Sequence, residues 1–294
     1  MMVTIGIPFY NAGSTLMDAI KSVFAQTYND WELILLDDGS SDDSLTIARS
    51  IEDPRVKILS DGDNKGLPYR LNQMAKLARG KYLARMDADD VMHPERIERQ
   101  VDYMEQNQEV DVVGTAVYII DENNDVQGWS ALRPIDTDHR NVLTKSLMSH
   151  PSVLGHSEWF RNNPYDEIYV RSEDHELWVR TVGHSTFSRI EIPLLYYRRN
   201  STMNLRNYLL TYKTDRKIYR NYGPSIIGKW KVRTLIAKSH LKGLIYRLLH
   251  LSGTDHLKWK KKLEAMPDKD RMAALSTLAT VHRVELPINK ETRA

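Results

Sequence analysis

The chain has 294 residues, of which 41% are hydrophobic and 27% are charged, and it contains no cysteine. This composition is ordinary for a folded globular protein, and it excludes disulfides and thiolate metal sites. The net charge of +2 is unevenly divided: residues 1–205 carry 21 Lys+Arg against 32 Asp+Glu, whereas residues 206–294 carry 20 against 7.

Strand and helix patterns alternate from the first residues onward. Short apolar runs predict β-strands at 3–8, 32–37, 56–59, 81–86 and 110–120. Between them, the spacing of apolar residues predicts helices at 16–24, 42–51 and 67–78, and another begins at Pro94. This alternation predicts an α/β fold with a mainly parallel, Rossmann-like sheet flanked by helices, whose ligands bind at the carboxyl ends of the strands.

The pattern is weaker and richer in loops over residues 121–170, which suits a region that faces an acceptor molecule and fits plain connecting loops nearly as well. A helix follows Asp174, and two further strands are predicted at 187–190 and 194–197. We therefore predict a catalytic domain over 1–205, with a nucleotide-binding half at 1–120 and an acceptor-binding half at 121–205.

Residues 206–294 predict a mostly helical, basic C-terminal extension. Aromatic residues stand among its Lys and Arg residues, a composition typical of a helix at a membrane interface, and Lys260-Lys261-Lys262 adds a basic patch. We expect this extension to bind an anionic membrane surface, with an ordinary solvated helical subdomain as the alternative. Nucleic acid is not expected, since no nucleic-acid-binding motif accompanies the charge.

The location of the protein is predicted from its N-terminus and its hydropathy. The chain starts with a strand-like run that has no basic leader, and no apolar run approaches the ~20 residues that span a bilayer. We expect a cytoplasmic protein that is peripheral on the inner face of the plasma membrane.

Three acidic clusters adjoin predicted strands and helices: Asp37-Asp38-Gly39-Ser40, Asp87-Ala88-Asp89-Asp90 and Glu173-Asp174. Carboxylates repel one another, so a fold gathers them for a cation, a proton transfer or a nucleotide. The second cluster offers several oxygen ligands to a hard divalent cation. Asp174 can accept a proton; the alternative is a purely structural role at the start of a helix, in an ion pair with Arg171 or Arg180. Asp38 can accept the N3–H of a uracil.

The ordered set of motifs resembles the family 2 glycosyltransferases, which have a GT-A fold and build bacterial surface polysaccharides. The matching segments span residues 3 to 200 and share their order with that family: Ile5-Gly6-Ile7-Pro8-Phe9-Tyr10-Asn11, Ala25-Gln26-Thr27-Tyr28, Asp37-Asp38-Gly39-Ser40, Asn64-Lys65-Gly66-Leu67, Asn72, Ala78-Arg79-Gly80-Lys81-Tyr82, Asp87-Ala88-Asp89-Asp90 and Glu173-Asp174-His175-Glu176-Leu177-Trp178. Any one of these pieces is weak, whereas the set is specific.

The resemblance implies a role for each matching residue. Asp174 is then the general base of an inverting displacement, and Asp89, with Asp87 as a second candidate, binds Mn²⁺ or Mg²⁺ through the donor diphosphate. The implied nucleotide and donor contacts are Pro8, Tyr10, Asn11, Asp38, Arg70, Asp87 and Ala88, where Asp38 meets the uracil and Arg70 approaches the phosphates. Apart from these implied roles, candidate acceptor or phosphate contacts are His150, Glu173, Trp178, Arg198 and Arg199. A lone histidine such as His150 is more often packed or hydrogen-bonded, and the helical spacing of Trp178 favours a core role over stacking on a sugar.

The chain departs from the family at two points. Many relatives carry Arg-x-His after the late strand, where this chain has Arg198-Arg199-Asn200, so an arginine or a looser metal site is expected there. The Gln-x-x-Arg-Trp motif of processive synthases is missing, which favours single additions over polymerisation.

We therefore expect an inverting, metal-dependent glycosyltransferase that moves one sugar from a UDP-sugar to a saccharide acceptor, a lipid-linked one by resemblance. One alternative is a sugar-phosphate nucleotidyltransferase, which the absence of Lys and Arg from residues 6–13 disfavours. Another is a non-catalytic, membrane-associated protein that binds sugar nucleotides, which the intact acidic set disfavours. A dehydrogenase is not expected, because no Gly-x-Gly-x-x-Gly follows the first strand.

Overall fold

The computed structural model describes residues 1–130, 134–199, 205–252 and 266–289. The strands within these ranges are β1 Val3–Phe9, β2 Trp31–Asp37, β3 Val56–Leu59, β4 Tyr82–Arg85, β5 Val91–Met92, β6 Val112–Ile120, β7 Val126–Ser130, β8 Leu154–His156 and β9 Phe187–Arg198. The α-helices there are α1 Leu16–Phe24, α2 Ser44–Arg49, α3 Leu67–Leu77, α4 Arg96–Gln106, α5 His139–Val142, α6 Ser157–Asn162, α7 Glu173–Thr181, α8 Leu205–Asn221, α9 Gly223–Ile227, α10 Lys229–Leu251 and α11 Asp268–His282. A 3₁₀ turn at His150–Ser152 precedes β8.

The strands form one sheet in the order β3-β2-β1-β4-β8-β6-β9-β5, with β7 paired to β6. The expected α/β sheet with flanking helices is confirmed, but the sheet is mixed rather than mainly parallel. The pairs β1–β2, β2–β3, β1–β4 and β6–β9 are parallel, whereas β4–β8, β6–β8, β6–β7 and β5–β9 are antiparallel. The connection from β6 to β7, at residues 121–125, is too short for the crossover that a parallel pair requires.

The late strand differs from its prediction. The two strands expected at 187–190 and 194–197 are one strand, β9, which pairs with β6 along its length. The register shifts between the partners of Ile190 and Pro193. Proline has no N–H to donate to a ladder, so it sits at an irregularity of this kind rather than ending the strand.

The core explains why β1 and β2 read as continuous apolar runs. Every residue of both strands is buried, because helices cover both faces of this part of the sheet. On one face α1 packs Leu16, Ile20 and Val23 into the cluster that contains β1. On the other face Met74 of α3 and Trp178 of α7 belong to a second cluster.

The carboxyl ends of β1, β2 and β4 meet at one edge of the sheet. Phe9 pairs with Asp37 in parallel register, and Gly6 pairs with Arg85. The loops that follow these strands, at 10–15, 38–43 and 86–90, therefore lie side by side. Gly39 makes the turn after β2 with a φ of 75°, a left-handed conformation that favours glycine.

The basic C-terminal region is helical, as predicted, but it packs in two places. Helix α8 lies against the segment around α7, where Ser172 Oγ donates to Asp215 Oδ1 at 3.0 Å. Helix α11 instead packs against α1 and β7. Lys21 Nζ of α1 donates to the carbonyl of His282 at 2.7 Å, and Ile51 forms a β-bridge with Ile288 after α11. The domain boundary at residue 205 stays a prediction. No helix in the described ranges is both long enough and apolar enough to cross a membrane.

Candidate active site

Three carboxylates converge in the turn after β4. Oxygens of Asp87, Asp89 and Asp90 lie within 4.8 Å of one another. Asp90 is buried, and its Oδ1 accepts a hydrogen bond from the backbone N–H of Arg198 at 2.8 Å. Its Oδ2 has no hydrogen-bond partner among the described residues. The cluster is therefore tied to the end of β9 on one side and keeps one buried oxygen unsatisfied.

The electrostatics of this cluster are unfavourable without a cation. Burial, and after it the charge of Asp87, raises the pKa of Asp89 to about 6. Burial, followed by the charges of Asp87 and Asp89, holds the pKa of Asp90 well above its usual range. Hard divalent cations bind carboxylate oxygens and relieve this repulsion. The crowded oxygens and the orphaned Asp90 Oδ2 thus fit a bound Mn²⁺ or Mg²⁺.

A pocket of about 420 Å³ opens beside the cluster. Its lining includes Pro8, Tyr10, Asn11, Asp87, Ala88, Asp89 and Arg198, so most of the predicted nucleotide contacts surround one space. Asn11 joins the loops after β1 and β2, because its N–H donates to Ser40 Oγ at 3.1 Å and its Oδ1 accepts from the N–H of Ser41 at 2.8 Å.

Asp38 and Arg70 lie outside this lining and bind each other. Asp38 Oδ1 accepts from Arg70 Nε at 2.8 Å and from the N–H of Lys65 at 2.8 Å. All five N–H donors of Arg70 are used, with Asp61, Gln73 and the carbonyl of Asp63 taking the rest. The expectation that Arg70 approaches the phosphates therefore needs correction. Asp38 holds the loop at 65–66 in place, and its contact with a base stays a prediction.

A second cavity of about 700 Å³ adjoins the first. Asp174, Glu173 and His150 line it together with Arg199, Arg85 and Asp87. A ring nitrogen of His150 and one carboxylate oxygen each of Glu173 and Asp174 lie within 4.8 Å of one another. Since Asp87 borders both spaces, the cavity that contains Asp174 meets the pocket that contains Asp89 at a shared wall.

Burial has the largest effect on the pKa values of the two acids at the start of α7. Burial, followed by the charge of Asp174, raises the pKa of Glu173 to about 7. Burial also raises the pKa of Asp174, and the charges of His175 and Arg85 oppose that shift. Glu173 Oε2 is buried and unpartnered within the described part of the chain. A carboxylate with a raised pKa is a better proton acceptor, as a general base requires.

Arg85 was not singled out from the sequence. Its side chain is only 2% exposed, borders the larger cavity and forms an ion pair with Asp87 through Nη2. Its positive charge also opposes the raised pKa values of Asp89, Glu173 and Asp174. A signal was present, because Arg85 is the one charged residue of strand β4 and precedes the acidic cluster by two residues.

The remaining candidate contacts divide into cavity residues and core residues. His150 lies at the larger cavity, where its Nε2 and Tyr165 Oη are 2.8 Å apart, and burial with the charge of Arg85 lowers its pKa well below the usual range. Trp178 lies in the core, as its helical spacing favours: it is fully buried and stacks with Trp159 at 6.3 Å between ring centroids, so the alternative of stacking on a sugar is excluded.

Arg198, the last residue of β9, and Arg199, which follows it, border different spaces. Arg198 borders the smaller pocket, and its guanidinium donates to the carbonyls of Asp89 and Asp121 at 2.8 and 2.7 Å. Arg199 borders the larger cavity. Asn200, which stands where many relatives have histidine, lies outside the described residues, as do Lys260, Lys261 and Lys262.

Comparison with known proteins gives consistent matches. The family model described as glycosyl transferase family 2 matches residues 4–189. An uncharacterized glycosyltransferase of Methanocaldococcus jannaschii is 32% identical over 74% of this chain and 74% of its own length. The UDP-Glc:alpha-D-GlcNAc-diphosphoundecaprenol beta-1,3-glucosyltransferase WfgD of Escherichia coli is 30% identical over 64% of this chain and 73% of its own length.

Two solved structures share the fold at low identity. S. aureus TarS in complex with UDP-GlcNAc has a TM-score of 0.60 and 16% identity, over 97% of this chain and 82% of the TarS chain. The mannosyltransferase PcManGT of Pyrobaculum calidifontis, in complex with GDP-Man and Mn²⁺, has a TM-score of 0.57 and 15% identity, over 97% of this chain and 76% of its own. At such identities the likeness concerns the fold alone.

Proposed function

We propose a specific reaction for this chain, which belongs to glycosyl transferase family 2: the transfer of one sugar from a UDP-sugar to a hydroxyl of a saccharide acceptor, with inversion at the anomeric carbon. Membership of the family makes the chain a glycosyltransferase, so neither the nucleotidyltransferase nor the non-catalytic alternative is retained. The observation that carries the proposal is the position of Asp87 between the pocket of Asp89 and the cavity of Asp174.

The donor is proposed to occupy the smaller pocket. Its nucleotide then lies along the loop of Pro8, Tyr10 and Asn11, and its diphosphate lies at Asp87 and Asp89. Residue Asp89, with Asp87, would hold Mn²⁺ or Mg²⁺, which when bound neutralises charge on the leaving diphosphate. Arg198 borders the same pocket and supplies a fixed positive charge near the phosphates. A role for Asp38 at the uracil belongs to the same proposal.

The acceptor is proposed to enter the larger cavity beside Asp174. Its hydroxyl oxygen forms a bond to the anomeric carbon of the donor while the bond from that carbon to the diphosphate oxygen breaks. The hydroxyl proton passes to the Asp174 carboxylate, and UDP leaves with the bonding electron pair. Attack from the face opposite the diphosphate inverts the anomeric centre, which suits a base and a leaving group at two ends of one space.

His150, Glu173 and Arg199 are proposed to orient the acceptor, since all three border that cavity. A neutral imidazole, as the lowered pKa of His150 implies, can donate one hydrogen bond and accept another from sugar hydroxyls. Arg85 is proposed as a positioning residue that holds Asp87 and whose charge favours the ionised form of the surrounding carboxylates.

The substrate classes are proposed from the relatives. WfgD, by its name, uses UDP-Glc and a diphosphoundecaprenol-linked acceptor, and TarS forms a complex with UDP-GlcNAc. We propose for this chain a UDP-sugar donor and a lipid-linked saccharide acceptor in polysaccharide synthesis. Such an acceptor places the enzyme peripherally at the inner face of the plasma membrane.

A donor screen tests the proposal. Ligands that bind the native state raise its unfolding temperature, so UDP, GDP and dTDP can be compared with and without Mn²⁺. The proposal predicts the largest increase for UDP with Mn²⁺, and release of UDP only when donor and acceptor are both present. A larger increase with GDP, or no dependence on Mn²⁺, would contradict the donor or the metal assignment respectively.

A further inference from the structure

Helix α10, Lys229–Leu251, exposes a continuous apolar stripe to solvent. Its large members are Trp230, Leu241, Leu244, Leu248 and Leu251, which are between 52% and 82% exposed. The spacing of 3, 4 and 3 residues between the leucines places them on one side of the helix. Thr234 and Ala237, also exposed, continue the stripe between Trp230 and Leu241. At 1.5 Å per residue the stripe is about 30 Å long.

The opposite side of α10 faces the protein. Val232, Ser239 and Gly243 are buried there, against the group formed by α8 and α9. The helix is therefore anchored by one face while its apolar stripe points away from the fold. A contiguous exposed apolar surface of this kind marks an interaction site in a folded protein.

Basic residues flank the stripe on both sides. Lys231, Lys238 and Lys242 are exposed along one flank, and Arg233 and Arg247 are exposed along the other. No acidic residue occurs anywhere in α10. An apolar stripe between two rows of positive charge is complementary to a bilayer with anionic headgroups, because the leucines enter the interface while the cations meet phosphates.

A basic groove adjoins the stripe between α8 and α10. It has a volume of about 410 Å³, and Arg206, Lys213, Arg216 and Arg247 line it together with Leu244, a member of the stripe. Partial burial, followed by the charge of Arg220 and then Arg247, lowers the pKa of Arg216. This crowding of like charges is relieved by an anion such as a headgroup phosphate.

We infer that α10 is the membrane-docking element of this protein: it lies in the plane of an anionic phospholipid surface, with the Trp230–Leu251 stripe in the interface and the adjoining groove over a headgroup phosphate. The inference extends the proposed membrane location, and the reason for such docking rests on the proposed function, in which the acceptor is lipid-linked. Its test is independent, since vesicle binding needs neither donor nor acceptor.

The experiment is co-sedimentation of the full chain with two kinds of vesicle: phosphatidylcholine alone, and phosphatidylcholine mixed with phosphatidylglycerol. We expect binding to the mixed vesicles that weakens as salt is added, and little binding to the neutral ones. Equal binding to both vesicles at every salt concentration, or no binding to either, would overturn the inference.

Variants locate the surface. The pair L241E and L248E is expected to lower the vesicle partition coefficient by about tenfold or more, because two leucines no longer enter the interface. Replacing Lys231, Lys238 and Lys242 by Gln is expected to weaken binding about fivefold per charge at low salt. All five positions are exposed, so the fold is expected to persist, with the unfolding temperature as the check.

A matched control uses exposed apolar residues elsewhere: Ile192 in β9 and Met272 in α11 are 53% and 66% exposed. The pair I192E and M272E is expected to leave vesicle binding unchanged, and an equal loss would contradict the assignment to α10. The stripe would instead join two copies of the chain if L241E and L248E turned a dimer into a monomer without changing vesicle binding. Normal vesicle binding without sugar transfer would count against the proposed reaction alone.

Discussion

Asp87 and Asp174 border one cavity of about 700 Å³, although they come from the turn after β4 and the first turn of α7. Asp87 also borders the pocket that holds Asp89 and the loop after β1. A nucleotide diphosphate on one side of Asp87 and an acceptor hydroxyl on the other would therefore be neighbours across this residue, and an in-line displacement requires such proximity.

Replacing Asp174 by Asn removes the proposed proton acceptor while keeping the size of the side chain. We expect kcat to fall by about 10²–10⁴-fold, the usual contribution of a general base, with little change in the binding of UDP. Steady-state kinetics and UDP titration measure the two effects. Asp102→Asn, on the surface of α4, is the control and should retain activity. An Asp174→Asn enzyme of full activity would exclude Asp174 as the base.

Glu173 gives a pH-dependent contribution to stability. Its pKa is about 7 in the folded protein and 4.5 in the reference state, so the folded state binds the proton more tightly. This favourable contribution is complete below pH 4.5 and is lost as the pH rises through 7. Glu173→Gln should therefore be more stable than the natural protein at pH 8, by on the order of 1–3 kcal/mol, and the difference should vanish at low pH.

Urea denaturation at several pH values measures this difference. Glu167→Gln, on the loop before α7, is the control and is expected to show no such gain in stability at pH 8. If the Glu173→Gln variant were less stable than the natural protein at every pH, Glu173 would be engaged in a stabilising contact as an anion.

The Arg85–Asp87 ion pair is expected to couple the two residues energetically. Arg85→Met leaves Asp87, Glu173 and Asp174 without their shared positive neighbour, so it should cost on the order of 3 kcal/mol of unfolding free energy. Adding Asp87→Asn should recover part of that loss, giving a coupling of about 1–3 kcal/mol in a double-mutant cycle. Additive effects of the two substitutions would show that the pair does not contribute to stability.

Much of the site follows from the order of strands and acids. Parallel strands place their carboxyl ends at one edge, so the sequence alone predicts that the cluster after β4 and the loop after β1 meet. The position of Asp174 in the same region came instead from resemblance to a known family, because no local pattern ties the start of α7 to that edge. The spacing of residues in the sequence could not predict that Asp87 borders both the smaller pocket and the larger cavity.

The errors have physical reasons. The sequence does not show which charged groups lie near Arg70 in the fold. It therefore could not predict that all N–H donors of Arg70 bind Asp38, Asp61 and their neighbours. Trp178 is not among these errors, because its helical spacing favours the core position in which it is buried. The antiparallel half of the sheet depends on long-range pairing between β8, β6 and β4, which local propensity does not encode.

The metal assignment predicts that Asp89 controls the response to Mn²⁺. In the natural protein Mn²⁺ with UDP should raise the unfolding temperature more than UDP alone, because the ion binds the folded state. In Asp89→Asn the additional increase should disappear, and transfer should fall to the level seen with a chelator. Asp121→Asn, at the end of β6 and outside the cluster, is the control. A full Mn²⁺ response in Asp89→Asn would move the ion to other ligands.

The most direct measurement is a crystal structure of the Asp174→Asn variant with Mn²⁺ and an intact UDP-sugar. We expect the ion on Asp89, the diphosphate in the pocket beside Asp87, and the anomeric carbon facing the side chain at position 174 across the larger cavity, on the face opposite the diphosphate. A donor bound with its anomeric carbon turned away from position 174, or with its diphosphate remote from Asp89, would contradict the proposed reaction.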